Sequence, residues 1–174
     1  MTGSHSAERS SNATPLVFVL LAGAVVSLFF GAYARIHDAT GEATLTLFFT
    51  NTINLKVWFA TVALAFAVVQ IATAARLFGK IKIPRRMPAW LGDAHRLSGT
   101  IAFLFTLPVA FHCLWSLGFR SDTSDPRTYV HSVFGCVFYG LFVVKVLSVR
   151  LHQLPKWLLP AAGSATFLAL AVLW

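Results

Sequence analysis

The sequence predicts an all-α membrane protein, a polytopic bundle of five transmembrane helices in the cell membrane with its N-terminus inside. Composition is the first observation behind this fold class. Of the 174 residues, 57% are hydrophobic and only 11% are charged, whereas soluble domains carry about 25% charged residues. The second observation is that the apolar residues form long stretches, and one crossing of a bilayer needs about 20 of them.

Five stretches of the chain meet or approach that length. They cover residues 15–33, 55–75, 97–118, 129–149 and 158–174. Residues 1–14 are small and polar, so we expect a disordered cytoplasmic tail there. We expect residues 15–174 to form a single transmembrane helical domain.

The distribution of basic residues orients the predicted helices. Segment 76–96 contains six Lys and Arg residues against one acidic residue, whereas loops 34–54 and 120–128 are close to charge balance. Cytoplasmic loops of membrane proteins carry an excess of Lys and Arg, so segment 76–96 and the N-terminus are predicted inside and the C-terminus outside. The net charge of +8 then indicates contact with anionic lipid head groups and not with nucleic acid.

Four histidines lie near the ends of predicted helices three and four. His95 and His112 mark the inner and outer ends of helix three, about 25 Å apart along the helix axis. His131 and His152 mark the outer and inner ends of helix four, about 31 Å apart. If these sequence neighbours pack antiparallel, His112 meets His131 and His95 meets His152. The sequence therefore predicts two histidine pairs, one near each membrane face, whereas His37 is predicted to be a solvated loop residue.

Paired histidines on opposed helices suit ligation of a haem iron from both sides. His95 and His131 each begin an HxxxG sequence, and residues four apart share a helix face. Gly99 and Gly135 therefore either leave room for a porphyrin or allow close contact between helices. Three cations near the inner pair are candidates for binding haem propionates: Arg96, Lys145 and Arg150. For each of them, ordinary anchoring at the membrane surface is the alternative.

Longer stretches of the sequence resemble known families. HRLSGTIAFLFTLPVAFHCLWSLGF, YVHSVFGCVFYGLFVVKVL and LPKWLLPAAG resemble a family of actinobacterial integral membrane proteins of unknown function. The four histidines and neighbouring glycines resemble those of small membrane b-type cytochromes, the cytochrome b561 and ferric reductase group. This resemblance implies that His95, His112, His131 and His152 hold haem b. This sequence departs from those families in three ways. All four histidines lie on two consecutive helices, the histidines within a helix are farther apart, and no flavin or nicotinamide domain is present.

The function predicted from the sequence is electron transfer across or within the membrane. Two b haems, or a single one between His112 and His131, would connect an inner or quinone-side donor to an outer acceptor, as an oxidoreductase or as the electron-transfer subunit of a redox partner protein. One alternative is a histidine-lined metal or proton pathway, although predicted helices three and four contain no carboxylate. The other is a non-catalytic scaffold or assembly subunit of a larger complex.

Overall fold

The computed structural model describes residues 4–42, 45–83, 85–119, 125–151 and 153–174. Within these ranges all regular structure is helical and no strand occurs, which confirms the all-α class. The five helices are α1 (Ser4–Ile36), α2 (Thr52–Leu77), α3 (Leu91–Phe111), α4 (Pro126–Arg150) and α5 (Leu158–Leu173). A π-helical turn, His112–Leu117, continues α3.

Four of the five helices begin earlier in the chain than the apolar stretches indicate, α1 and α3 by the most. α1 begins at Ser4, so residues 4–14 belong to the same helix as the first apolar stretch. This segment contains neither glycine nor proline to interrupt a helix. α3 begins at Leu91, which is buried, and carries Asp93 in its first turn, where a negative charge is favourable.

The start of α4 is defined by local capping. The Asp125 side chain accepts a hydrogen bond from the backbone N–H of Thr128 at 3.3 Å, and Pro126 occupies the first helical position. An aspartate cap followed by proline is a favoured helix start. α4 therefore begins three residues before the predicted residue 129 and ends at Arg150.

Four helical segments of the described chain are long and apolar enough to cross a membrane. They are Ala13–Ile36, Thr52–Leu77, Leu91–Leu117 and Pro126–Arg150. α5 is apolar but has only 16 residues, a length of about 24 Å against a hydrocarbon core of about 30 Å. The large apolar side chains exposed along α1, such as Phe18 and Phe29 at 60% and 64%, are suited to contact with lipid.

The helices fall into two compact units. The first unit comprises residues 1–36 and 119–173 and contains α1, α4 and α5. In it, α4 packs against both α1 and α5. The second unit comprises residues 37–118 and Trp174, and in it α2 packs against α3.

In the first unit, α1 and α4 approach each other at two glycines. A Cβ atom on Gly23 would lie 2.5 Å from Cγ2 of Val144 and 2.8 Å from the carbonyl oxygen of Gly140. A Cβ on Gly140 would overlap Ser27 and the backbone of Gly23. Small residues at such crossings let membrane helices approach closely, and no larger side chain is accommodated here. Val19, Val144, Leu158 and Ala162 form the adjacent buried cluster.

In the second unit, α2 and α3 pack through small and aromatic residues. Ala63 and Ala67 of α2 and Ala102 of α3 are buried. The rings of Phe59 and Phe105 lie 4.9 Å apart between centroids, within the range of favourable aromatic pairs. This packing holds α2 and α3 together, and polar residues such as Gln70 and Ser98 meet between them.

Candidate functional site

The structure describes three of the four predicted histidine ligands. His95 and His112 lie in the second unit, near the start of α3 and at the junction of α3 with its π-helical turn. His131 lies in the first unit, half-buried in α4, and His152 lies outside the described residues. The pairing of histidines from α3 with histidines from α4 stays a prediction from the sequence.

His95 belongs to a polar cluster between α2 and α3. Its Nδ1 lies 2.7 Å from the Thr73 hydroxyl and 3.3 Å from Nε2 of Gln70. The Gln70 amide also donates to the backbone carbonyl of His95 and, at 2.9 Å, to the Ser98 hydroxyl. Gln70 and Ser98 are buried, and polar groups buried in this way need such partners. Two residues of α2 therefore hold one histidine of α3 in a fixed orientation.

The tautomer of His95 depends on where the Thr73 hydroxyl proton goes. The hydroxyl oxygen lies 2.7 Å from the Val69 carbonyl oxygen, 3.1 Å from the Gln70 carbonyl oxygen and 2.7 Å from Nδ1 of His95. When the hydroxyl donates to a carbonyl, Nδ1–H of His95 donates to Thr73; when the hydroxyl donates to Nδ1, the ring proton is on Nε2. Metal-ligating histidines commonly have the first arrangement, with one ring N–H fixed by a neighbouring acceptor.

Gly99 makes room for Gln70. A Cβ at position 99 would lie 2.9 Å from Oε1 of Gln70 and 3.1 Å from its Cδ. The space beside His95 that the HxxxG sequence predicts is therefore occupied by an amide side chain of α2. Of the two explanations open for this glycine, the structure favours contact between helices.

His112 is fully buried, with 0% of its surface exposed. Its Nε2 lies 2.5 Å from the backbone carbonyl oxygen of Leu45, and its Nδ1 lies 3.4 Å from the Ser116 hydroxyl. Because a carbonyl only accepts hydrogen bonds, Nε2 must carry the proton. His112 therefore attaches the segment after α1 to the end of α3.

That segment forms a cap over the π-helical turn. The backbone N–H groups of Thr40 and Gly41 donate to the carbonyls of Trp115 and Ser116 at 3.3 and 3.0 Å. The His37 ring lies against Trp115 with centroids 4.4 Å apart, where the sequence predicted a solvated loop residue. A π-helical turn and a helix end both leave carbonyls without partners in their own helix, and the cap binds two of them.

The remaining predicted site residues have separate surroundings. Arg96 is exposed and forms an ion pair with Asp93, also exposed. Lys145 is half-buried in α4, and Arg150 is the exposed last residue of that helix. A Cβ on Gly135 would make ordinary contact with Leu173 of α5 at 4.0 Å, so this position does not require glycine for that contact.

Sequence reasoning missed the residues that surround the two histidines. Around His95 these are Gln70 and Thr73, and around His112 they are Leu45 and Ser116. Gln70 and Thr73 are polar, lie three apart and stand in an otherwise apolar part of α2. Polar residues in membrane helices commonly bond to neighbouring helices, so the cluster could have been predicted from this pair.

The fold and the site together define a class of protein: a multi-pass helical membrane protein with a hydrogen-bonded polar cluster around one histidine between two apolar helices. Among the described residues, no group of three or more His, Cys, Asp or Glu side chains is arranged to hold a metal ion. The chain belongs to the family described as "Family of unknown function (DUF6529)", which matches residues 16–174. No curated protein and no solved structure matches the chain.

Proposed function

We propose that the protein is a membrane b-type cytochrome that carries electrons through haem held by histidines of α3 and α4. The polar cluster at His95 carries the proposal, since Thr73 and Gln70 fix its imidazole through contacts to Nδ1, as neighbouring groups commonly do for metal-ligating histidines. Ionisable residues within membrane helices are rare and commonly functional. Ligation of iron by His95 would explain why a polar cluster fixes this one histidine.

Haem supplies one-electron chemistry at its iron, and the protein supplies ligands, orientation and insulation from water. In this proposal His95 binds iron, while Thr73 and Gln70 hold the imidazole and its proton in place. The partner ligands, His152 for His95 and His131 for His112, come from the sequence alone. A quinone or a redox partner protein would exchange electrons with the haem.

His112 suits iron ligation less well than His95 does. Its Nε2 proton is bonded to the Leu45 carbonyl, and ligation through that nitrogen requires this bond to be given up. If the chain binds one haem only, the geometry favours His95 as its ligand. This reverses the order that the sequence predicts, where His112 and His131 hold the single haem.

The buried bond of His112 favours a second candidate, a non-catalytic scaffold or assembly subunit. In that case both histidines serve only to join segments of the fold. The scaffold predicts a colourless protein, whereas the cytochrome predicts visible haem absorption.

The test is the dithionite-reduced minus oxidised spectrum of the purified full-length protein, expressed with ample haem, together with haem per chain from the pyridine haemochrome. We expect a b-type spectrum and its loss, wholly or for one haem, in His95→Ala. His37→Ala is the control, because it removes a histidine outside the proposed ligand set. A colourless wild-type protein would overturn the cytochrome and favour the scaffold.

A further inference from the structure

The connection between α2 and α3 combines cations with exposed apolar side chains. We name residues 78–83 and 85–90 the basic loop, all of which lie within the described ranges. It contains four cations and no acidic residue. Because both flanking helices are long and apolar enough to cross a membrane, the basic loop lies at a membrane surface.

The end of α2 fixes the direction in which the basic loop leaves the helix. The N–H groups of Phe78 and Gly79 donate to the carbonyls of Ala74 and Arg76 at 2.8 and 3.1 Å. The backbone N–H of Lys80 donates to the carbonyl of Ala75 at 2.8 Å. Gly79 has φ of +71°, a left-handed conformation that ends helices and favours glycine. The first cation is therefore held directly beyond the last turn of α2.

The side chains of the basic loop are turned outward. Its four cations are Lys80, Lys82, Arg85 and Arg86, all of them exposed. None of them forms an ion pair with a residue that the structure describes. The apolar residues between and after them are exposed too: Ile81 at 43%, Ile83 at 83%, Met87 at 50% and Trp90 at 63%.

We propose that the basic loop is a binding surface for anionic phospholipid head groups, with its apolar side chains inserted at the membrane interface. Clusters of four or more Lys and Arg beside a transmembrane helix attract anionic lipids. Tryptophan is enriched at the head-group level, and Trp90 lies immediately before α3. The alternation of cations with exposed apolar residues places charge on phosphate while the apolar groups leave water. This proposal is independent of haem binding.

The experiment measures lipid binding by the full-length protein in a mild non-ionic detergent. Native mass spectrometry compares the retention of phosphatidylglycerol and phosphatidylcholine, which differ in head-group charge. The loop variant carries Lys80→Gln, Lys82→Gln and Arg86→Gln. The control variant carries Arg35→Gln, Arg127→Gln and Lys156→Gln, three exposed cations elsewhere, so both variants lose the same charge.

We expect the wild type and the control variant to bind phosphatidylglycerol about tenfold more tightly than phosphatidylcholine, and the loop variant to lose most of this preference. Circular dichroism is the check that each variant keeps its helices. Equal binding of the two lipids by the wild type would overturn the proposal and leave an acidic protein surface as the occupant. Equal loss in the loop and control variants would also overturn it, because the preference would then follow total charge.

The apolar residues of the loop have a separate test. Ile83→Ser combined with Trp90→Ser is expected to weaken the retention of both lipids while leaving the preference for phosphatidylglycerol intact. Unchanged retention of both lipids would contradict insertion of the loop into the interface.

Discussion

At the scale of single residues, His95 and Thr73 determine each other's hydrogen bonding. The 2.7 Å contact between Nδ1 and the hydroxyl fixes the plane of the imidazole, and the same hydroxyl lies 2.7 Å from the Val69 carbonyl oxygen. Loss of the hydroxyl removes both contacts without changing the size of the side chain much. Thr73 is thus a positioning residue whose effect on His95 is separable from packing.

Thr73→Val is expected to weaken haem binding about 10- to 100-fold, the usual effect of removing a hydrogen-bond partner from a metal-ligating histidine. Thr73→Ser retains the hydroxyl and is the matched control. The measurement is haem titration of the apoprotein, with the midpoint potential as a second readout. Equal affinity and potential in wild type and Thr73→Val, in a protein that does bind haem, would show that Thr73 does not position the ligand.

The sequence identifies His95 but not the residues that hold it, for a physical reason. In a soluble helix the polar face indicates which side is exposed. α2 and α3 are apolar on most sides because lipid as well as protein surrounds them, so the pattern does not reveal that Gln70 of α2 faces Ser98 and Gly99 of α3. The HxxxG sequence marks a close contact correctly, and only the structure shows that Gln70 fills it.

At the scale of elements, the crossing of α1 and α4 depends on glycine at both contact positions. Gly140→Ala is expected to destabilise the protein, because its Cβ meets Ser27 and the backbone of Gly23 and overpacking costs about 1–3 kcal/mol. This outweighs the gain of about 1 kcal/mol from alanine in a helix. The measurement is thermal unfolding in detergent, followed by circular dichroism.

Gly163→Ala is the matched control for the crossing. It lies inside α5 with no atom within 4 Å of the added Cβ, so it is expected to leave the stability unchanged or raise it. Destabilisation of similar size in both variants would contradict a specific contact between α1 and α4.

The cap over the end of α3 provides a second prediction for an element. His112→Ala removes a fully buried imidazole and the donor to the half-buried Leu45 carbonyl, and is expected to cost about 1–3 kcal/mol. We expect faster hydrogen exchange at the amides of Thr40 and Gly41, whose bonds to the π-helical turn belong to the same cap. Ser116→Ala removes only the 3.4 Å contact to Nδ1 and serves as the control. Unchanged exchange in His112→Ala would show that this bond does not hold the cap.

At the scale of the whole molecule, composition and apolar stretch length predict the class and the number of helices correctly. The helix ends are less accurate, because capping residues such as Asp125 and the buried Leu91 lie outside the apolar stretches. The partner of each helix is not predictable from hydropathy either. Helices that follow one another in sequence are commonly neighbours, yet within the first unit α4 packs against α1, which is distant from it in the chain.

The length of α5 makes the position of the C-terminus a test of the whole topology. Its 16 residues span about 24 Å, less than a typical hydrocarbon core of about 30 Å. Trp157 and Trp174 flank it and are 59% and 64% exposed, and tryptophans favour both membrane interfaces. Because a short span is accommodated by local thinning of the bilayer, we expect α5 to cross and Trp174 to lie outside.

Fusions after Trp174 distinguish the two topologies. An alkaline phosphatase fusion is expected to be active and a green fluorescent protein fusion dark, since the former requires export and the latter folds in the cytoplasm. The same fusions placed after Lys82, in the basic loop predicted inside, are the control and are expected to give the opposite pattern. A fluorescent, phosphatase-inactive C-terminus would show that the chain crosses the membrane four times and that α5 does not span it. In that case the flanking tryptophans would anchor α5 to one face of the membrane, and the inner face would carry both chain ends together with the basic loop.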